Sequence, residues 1–169
     1  CSALWLETGS GPMSLNVLCN SSQLFSKTSQ IPLIRPDQAL KVNSTAAAPA
    51  LGDPLGWLFT HSNLSSRAYA LEVSGNSMQP VFQEGDWIIL DPMAVPEPGD
   101  FVVAKCGEKK ELIFRKYRPK GLDNSGKMTF ELVPLNEDFP SLRSDILPIE
   151  IIGTLIEHRI FTKKHLIAS

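Results

Sequence analysis

Cysteine is scarce in this chain. Its three residues, Cys1, Cys19 and Cys106, are odd in number and far apart. That count excludes a disulfide framework and fits free thiols in a reducing cytoplasm. Metal-ligand spacing is missing as well. The three histidines, His61, His158 and His165, are scattered, so structural or surface roles are the default and neither metal nor cofactor is expected. There is no excess of positive charge: 16 Lys and Arg stand against 18 Asp and Glu, for a formal net charge of −2. Nucleic-acid binding rests on a basic surface, so this stretch is not expected to hold nucleic acid by itself. No apolar run approaches about 18 residues, which argues against a spanning helix. The N-terminus lacks the charged start and long apolar core of a signal peptide. These absences predict a cytoplasmic protein with no membrane partner. Its 169 residues suffice for one domain plus extras.

What is present centres on Ser74-Gly75-Asn76-Ser77-Met78-Gln79-Pro80. A strand-like run over 68–73 ends just before Gly75, and Ser77 falls in the tight turn that follows. Glu84-Gly85-Asp86 then leads into the apolar run Trp87-Ile88-Ile89-Leu90, and Pro98-Gly99-Asp100 leads into Phe101-Val102-Val103-Ala104. A further strand over 111–117 carries two adjacent cations, Arg115 and Lys116. A serine at a strand-to-turn corner with a cation on a later strand is the layout of a Ser-Lys dyad. In such a dyad a lysine kept neutral by burial takes the serine proton.

These residues resemble the C-terminal domain of the LexA and phage-repressor family, which includes self-cleaving serine-lysine peptidases. The resemblance rests on Gly75 to Pro80 (with Ser77 and Met78), Glu84-Gly85-Asp86, Pro98-Gly99-Asp100 and the strand after it, Phe114-Arg115-Lys116-Tyr117, and Leu132-Val133-Pro134-Leu135-Asn136. It covers about residues 57 to 159. The Ser-Met-x-Pro turn is also similar to that of signal peptidases, but those are membrane-tethered and no tether is visible here.

Taken in order, residues 1–12 are similar to the end of the last helix of a helix-turn-helix DNA-binding domain, and a remnant of such a domain is expected there. Residues 13–56 read as linker, rich in Ser, Asn, Ala and Pro, with little core. Within it, Ile31-Pro32-Leu33-Ile34-Arg35-Pro36-Asp37-Gln38-Ala39-Leu40 resembles the family's cleavage segment, in which a short apolar strand leads to an Ala-Gly bond. Here the matching bond is Ala39-Leu40. The plainer reading of 31–34 is an edge strand docked on the domain. Residues 57–169 read as mainly β, with strands near 57–60, 68–74, 86–91, 100–106, 111–118, 128–134 and 150–159. That spacing predicts a small, strongly bent antiparallel sheet or partial barrel. The last strand is apolar on both faces, so one face is expected against a partner chain, and the tail over 161–165 is expected in solvent. The resemblance implies homodimerisation or higher oligomerisation through this domain.

The family places its lysine first after the apolar lead of that strand, which here is Arg115. Lys116 comes one residue late, and strand side chains alternate faces. An arginine stays protonated in proteins and cannot act as the base. A bulge that turns Lys116 inward, or a register shifted by one, would restore an amine. Two functions therefore stand side by side. One is the oligomerisation domain of a prophage-type transcriptional repressor that does not cleave itself. It would bind operator DNA through a separate N-terminal domain and be relieved by a protein antirepressor. The other is an active autopeptidase, with Ser77 as nucleophile and Lys116 as base, cleaving near Ala39-Leu40 on stimulation by a RecA filament, as the resemblance implies.

Overall fold

In the computed structural model, residues 28–42 and 52–162 are described. The expected helix-turn-helix remnant, much of the linker and the last tail residues lie outside them.

Among the described residues, nine strands form one sheet. They are β1 (Ser29–Leu33), β2 (Gly56–Thr60), β3 (Tyr69–Glu72), β4 (Trp87–Asp91), β5 (Phe101–Cys106), β6 (Glu111–Leu122), β7 (Met128–Val133), β8 (Leu142–Arg143) and β9 (Ile149–Arg159), in the spatial order β2-β1-β3-β4-β9-β5-β6-β7-β8. One helical turn, α1 (Pro36–Ala39), follows β1. All pairings are antiparallel except β1 with β3. The sheet is not closed into a barrel, in keeping with the bent sheet or partial barrel expected from the sequence. Branched and aromatic runs such as Trp87-Ile88-Ile89-Leu90 make the central strands, because such side chains fill a pleated surface well. At the turn into β5, Gly99 takes φ +95°, which an L side chain rarely adopts. Its N–H donates to Tyr117 O at 3.0 Å, and the Asp100 carboxylate accepts from Glu97 N at 2.8 Å.

The longest-range pairings belong to β9. It lies between β4 and β5, and its register slips against both, at Ile89/Leu90 and at Val103/Ala104. Each slip is a bulge, and bulges bend and twist a sheet. The bent sheet encloses apolar side chains on both faces of β9. Ile152 and Leu155 join Met78, Phe82 and Val103, whereas Ile149 and Ile151 pack with Val102, Ala104 and Leu132. Apolar contacts within this chain thus account for part of the double-sided pattern, while Ile156 of β9 remains 41% exposed.

Residues 28–42 are not the loose linker that their composition suggests. Ile31, Leu33, Ile34, Ala39 and Val42 are all buried. Strand β1 is flanked on both sides by β2 and β3, so it is not at the edge of the sheet. Pro32 is tolerated because its neighbours supply the pairing at the adjacent positions.

Candidate functional site

The Ser77 turn is held from three directions. Gly75, at φ +80°, turns the chain out of the sheet after Val73. Within the turn, Gln79 N donates to Asn76 O and Phe82 N donates to Met78 O. The Met78 side chain, 2% exposed, anchors the turn in the main core beside Phe82, while Pro80 stays on the surface. From the loop after β7, Asn136 reaches across: its N–H donates to Ser77 O at 3.0 Å, and its Nδ2 donates to Asn76 O at 3.1 Å. Ser77 itself is half-buried.

Arg115 lies against this turn. Its Nη1 donates to Ser77 Oγ and also to Phe114 O. The side chain is 9% exposed, its Cζ lies 5.8 Å from the ring centre of Phe139, and its buried Nε has no acceptor. Burial lowers the affinity of the guanidinium for its proton, partly offset by Cys106. A guanidinium begins so far above neutrality that it remains a cation. Ser77 Oγ therefore accepts a hydrogen bond from a charged donor. Among the described residues its own proton meets no basic nitrogen.

Lys116 is on the other face. Register pairs Arg115 with Val102 and Lys116 with Phe101, and it runs unbroken from Phe101/Lys116 to Cys106/Glu111. The one irregularity in β6 lies further on, at Pro119/Gly121 against β7. No bulge turns Lys116 inward, and it makes no hydrogen bond to Ser77.

The Ala39-Leu40 bond belongs to a helical turn. Ala39 N donates to Arg35 O, Leu40 N donates to Pro36 O, and Ala39 is fully buried in the cluster that holds Met78. Gln38 closes the start of that turn, accepting from Arg35 N at 2.9 Å. The bond is neither extended nor hydrogen-bonded to Ser77. The structure brings Ser77 and Arg115 together; it leaves Lys116 and the Ala39-Leu40 peptide apart from them.

The comparisons with known proteins bear on this arrangement. Residues 40–156 match the profile described as Peptidase S24-like, which covers more than half of the chain and includes both Ser77 and Arg115. The chain belongs to the Peptidase S24-like family. It is 30% identical over 145 residues to the "HTH-type transcriptional regulator for conjugative element SXT" of Vibrio cholerae, covering 83% of this chain and 64% of that one. The same figures hold for the "HTH-type transcriptional regulator for conjugative element pMERPH" of Shewanella putrefaciens. An "uncharacterized HTH-type transcriptional regulator" of Coxiella burnetii is 30% identical over 94 residues, 56% of this chain and 44% of the relative. The chain thus spans less than two thirds of the length of these relatives.

Within this S24-like domain, the sequence reading named Asp86 and Asn136 as motif residues without their roles and missed Lys105 altogether. Asp86, 3% exposed, accepts from Gln83 N at 3.0 Å and pairs with His158 Nε2 at 2.8 Å, which fixes the turn just after the Ser77 loop. Asn136 was legible as a motif residue but not as the clamp on Asn76 and Ser77. Lys105, 5% exposed, donates from Nζ to Val42 O at 2.5 Å and lies 3.8 Å from Glu150. It ties β5 to the docked segment. No pattern in the local sequence announces a lysine whose acceptor lies 63 residues away. Among the described residues no cluster of metal ligands occurs, and no helix is long and apolar enough to cross a membrane.

Proposed function

We propose that this chain is the regulatory, oligomerising part of a mobile-element or prophage-type transcriptional repressor, built on a self-cleaving peptidase fold but unable to cleave itself. The observation that carries this is the Arg115 guanidinium donating to Ser77 Oγ. Nucleophilic attack needs a base within hydrogen-bond reach of the serine proton. A group that only donates cannot serve, and the single lysine beside it faces the other way. The Ala39-Leu40 bond agrees with this, since a buried, helically bonded peptide with Leu in place of Gly is a poor substrate.

The regulatory assignment rests on the relatives, whose names describe them as helix-turn-helix transcriptional regulators of conjugative elements. In the protein as a whole, operator DNA would be read by the helix-turn-helix unit. Pairing of two such units through this domain makes the second DNA contact effectively intramolecular. Without self-cleavage, relief of repression requires another partner, and a protein antirepressor is the simplest. The protein would act in the cytoplasm, where its DNA is.

Incubation of the purified chain at mildly alkaline pH tests the reading. The pH is held below about 10, because burial raises the pKa of Tyr69 and an unfolded chain would ionise its tyrosine there. The chain is expected to keep its intact mass. Two fragments that vanish with Ser77→Ala would overturn the proposal in favour of an active autopeptidase.

A further inference from the structure

Arg115 is a buried cation that meets no carboxylate among the described residues. Lys105, Lys120, Arg118, Arg143 and Arg159 each have an acidic partner, all of them more exposed than Arg115 except Lys105. Among the described residues Arg115 meets only two uncharged oxygens, Ser77 Oγ and Phe114 O, both on Nη1. Its Nε is sealed from solvent without a partner. Among the described residues its Nη2 makes no hydrogen bond either, and it is not among the atoms shut off from solvent. Ser77 accepts from Nη1, and its own proton has no acceptor among the described residues. Two donors, Nη2–H and the Ser77 hydroxyl, are therefore open side by side, with no acceptor beside them among the described residues.

Burying a charge without a counter-charge is costly, and an incoming anion removes part of that cost. Planar guanidinium groups match carboxylates in geometry. The surroundings favour a peptide over a small free anion. Phe139, 38% exposed, lies over the guanidinium, and Val81, 53% exposed, is four residues from Ser77. Both offer apolar surface to residues that flank a carboxylate.

We propose that Ser77 and Arg115 form a recognition site for a carboxylate presented by a peptide, the contact through which a protein partner engages this domain. This deepens, and rests on, the reading of the serine as catalytically silent. The displaced lysine is thereby replaced by a group suited to holding an acidic residue, and the old nucleophile becomes a second donor to it.

The test uses the intact chain with its arginine side chains labelled with nitrogen-15, followed by magnetic resonance. Three probes are added: acetyl-Phe-Glu-Leu-amide, its glutamine counterpart, and acetyl-Phe-Leu with a free C-terminal carboxylate. The Arg115 resonances are expected to move saturably with the first or the third probe, which also tells a side-chain carboxylate from a chain terminus. The glutamine peptide is expected to bind at least about tenfold more weakly, the ratio for a charge-assisted bond replaced by a neutral one. Arg115→Gln should abolish the response, and Ser77→Ala, which keeps the guanidinium, should weaken it several-fold without abolishing it. No shift with either acid, equal shifts with acid and amide, or the same shift with sodium acetate alone would overturn the proposal. Intact mass is measured on the same samples. Ser77-dependent fragments would sink the silent-serine reading, whereas an intact chain without a shift would sink this proposal alone.

Discussion

Replacement of Asp86 by alanine should loosen the support of the Ser77 turn by a calculable amount. The carboxylate is 3% exposed and takes two hydrogen bonds, one from Gln83 N at 3.0 Å and one with His158 Nε2 at 2.8 Å. The His158 ring in turn stacks at 4.4 Å on Phe82, which meets Phe101 and Phe114, each at 4.8 Å. Hydrogen bonds to a charged group contribute roughly 1.5–3 kcal/mol each, and the donors left behind are largely buried. Counting two bonds at the lower end, Asp86→Ala should cost about 3 kcal/mol. For a domain of this size that is a fall in Tm of roughly 6–12 °C. Urea unfolding followed by tryptophan fluorescence reads it directly, since Trp87 is the next residue in the chain. The m-value should not change, because the unfolded chain exposes the same surface. Asp86→Asn, which keeps an acceptor, should lose less. A loss below about 1 kcal/mol for Asp86→Ala would show that the turn is held by the backbone alone and that the pair with His158 contributes nothing.

Other expectations follow from the same packing. At Gly153 a methyl group would stand 2.9 Å from Tyr69 Oη and 3.0 Å from Leu90 Cβ. Gly153→Ala should therefore cost about 1–3 kcal/mol by overcrowding, measured by the same urea titration, and an unchanged midpoint would refute the crowding. Lys105→Met removes the donor to Val42 O and should free the docked segment. Trypsin should then cut after the exposed Lys41 several-fold faster than in the parent, and equal rates would show that apolar contacts suffice to dock it. The Glu157 carboxyl is pushed up by burial, but the Thr60 hydroxyl, Arg159 and the Ser62 hydroxyl together hold it below its ordinary value. A depressed carboxyl contributes stability above its unfolded pKa and loses it as pH falls through the folded value. Thr60→Val should thus flatten the fall in urea midpoint between about pH 6 and pH 3.5, and an unaltered fall would contradict that role.

Much of this fold was legible because each strand announces itself locally. The strands expected over 86–91 and 100–106, bounded by Gly85 and Gly99, fall within a residue of the observed β4 and β5. The opposite faces of Arg115 and Lys116 could also be read, since alternation along an unbroken strand leaves no choice. Docking of 31–34 as a strand was also one of the readings the sequence allowed. Its place inside the sheet and the burial of Ala39 and Val42 were not, because only long-range pairing with 56–60 and Ala70 reveals them. The two-sided pattern of β9 has a related cause: a central strand bulged twice meets apolar clusters on both faces, while Ile156 stays exposed. Asp86 with His158 was hidden by distance, 72 residues along the chain.

The central claim is that the cation beside Ser77 is the wrong chemical group to accept its proton. Changing that group tests it most directly. The parent chain and an Arg115→Lys, Leu40→Gly double variant are incubated side by side at mildly alkaline pH, and their intact masses are followed over time. The account predicts that the parent stays whole while the variant yields two fragments, in a manner abolished by adding Ser77→Ala. A parent that divides as fast as the variant would contradict it.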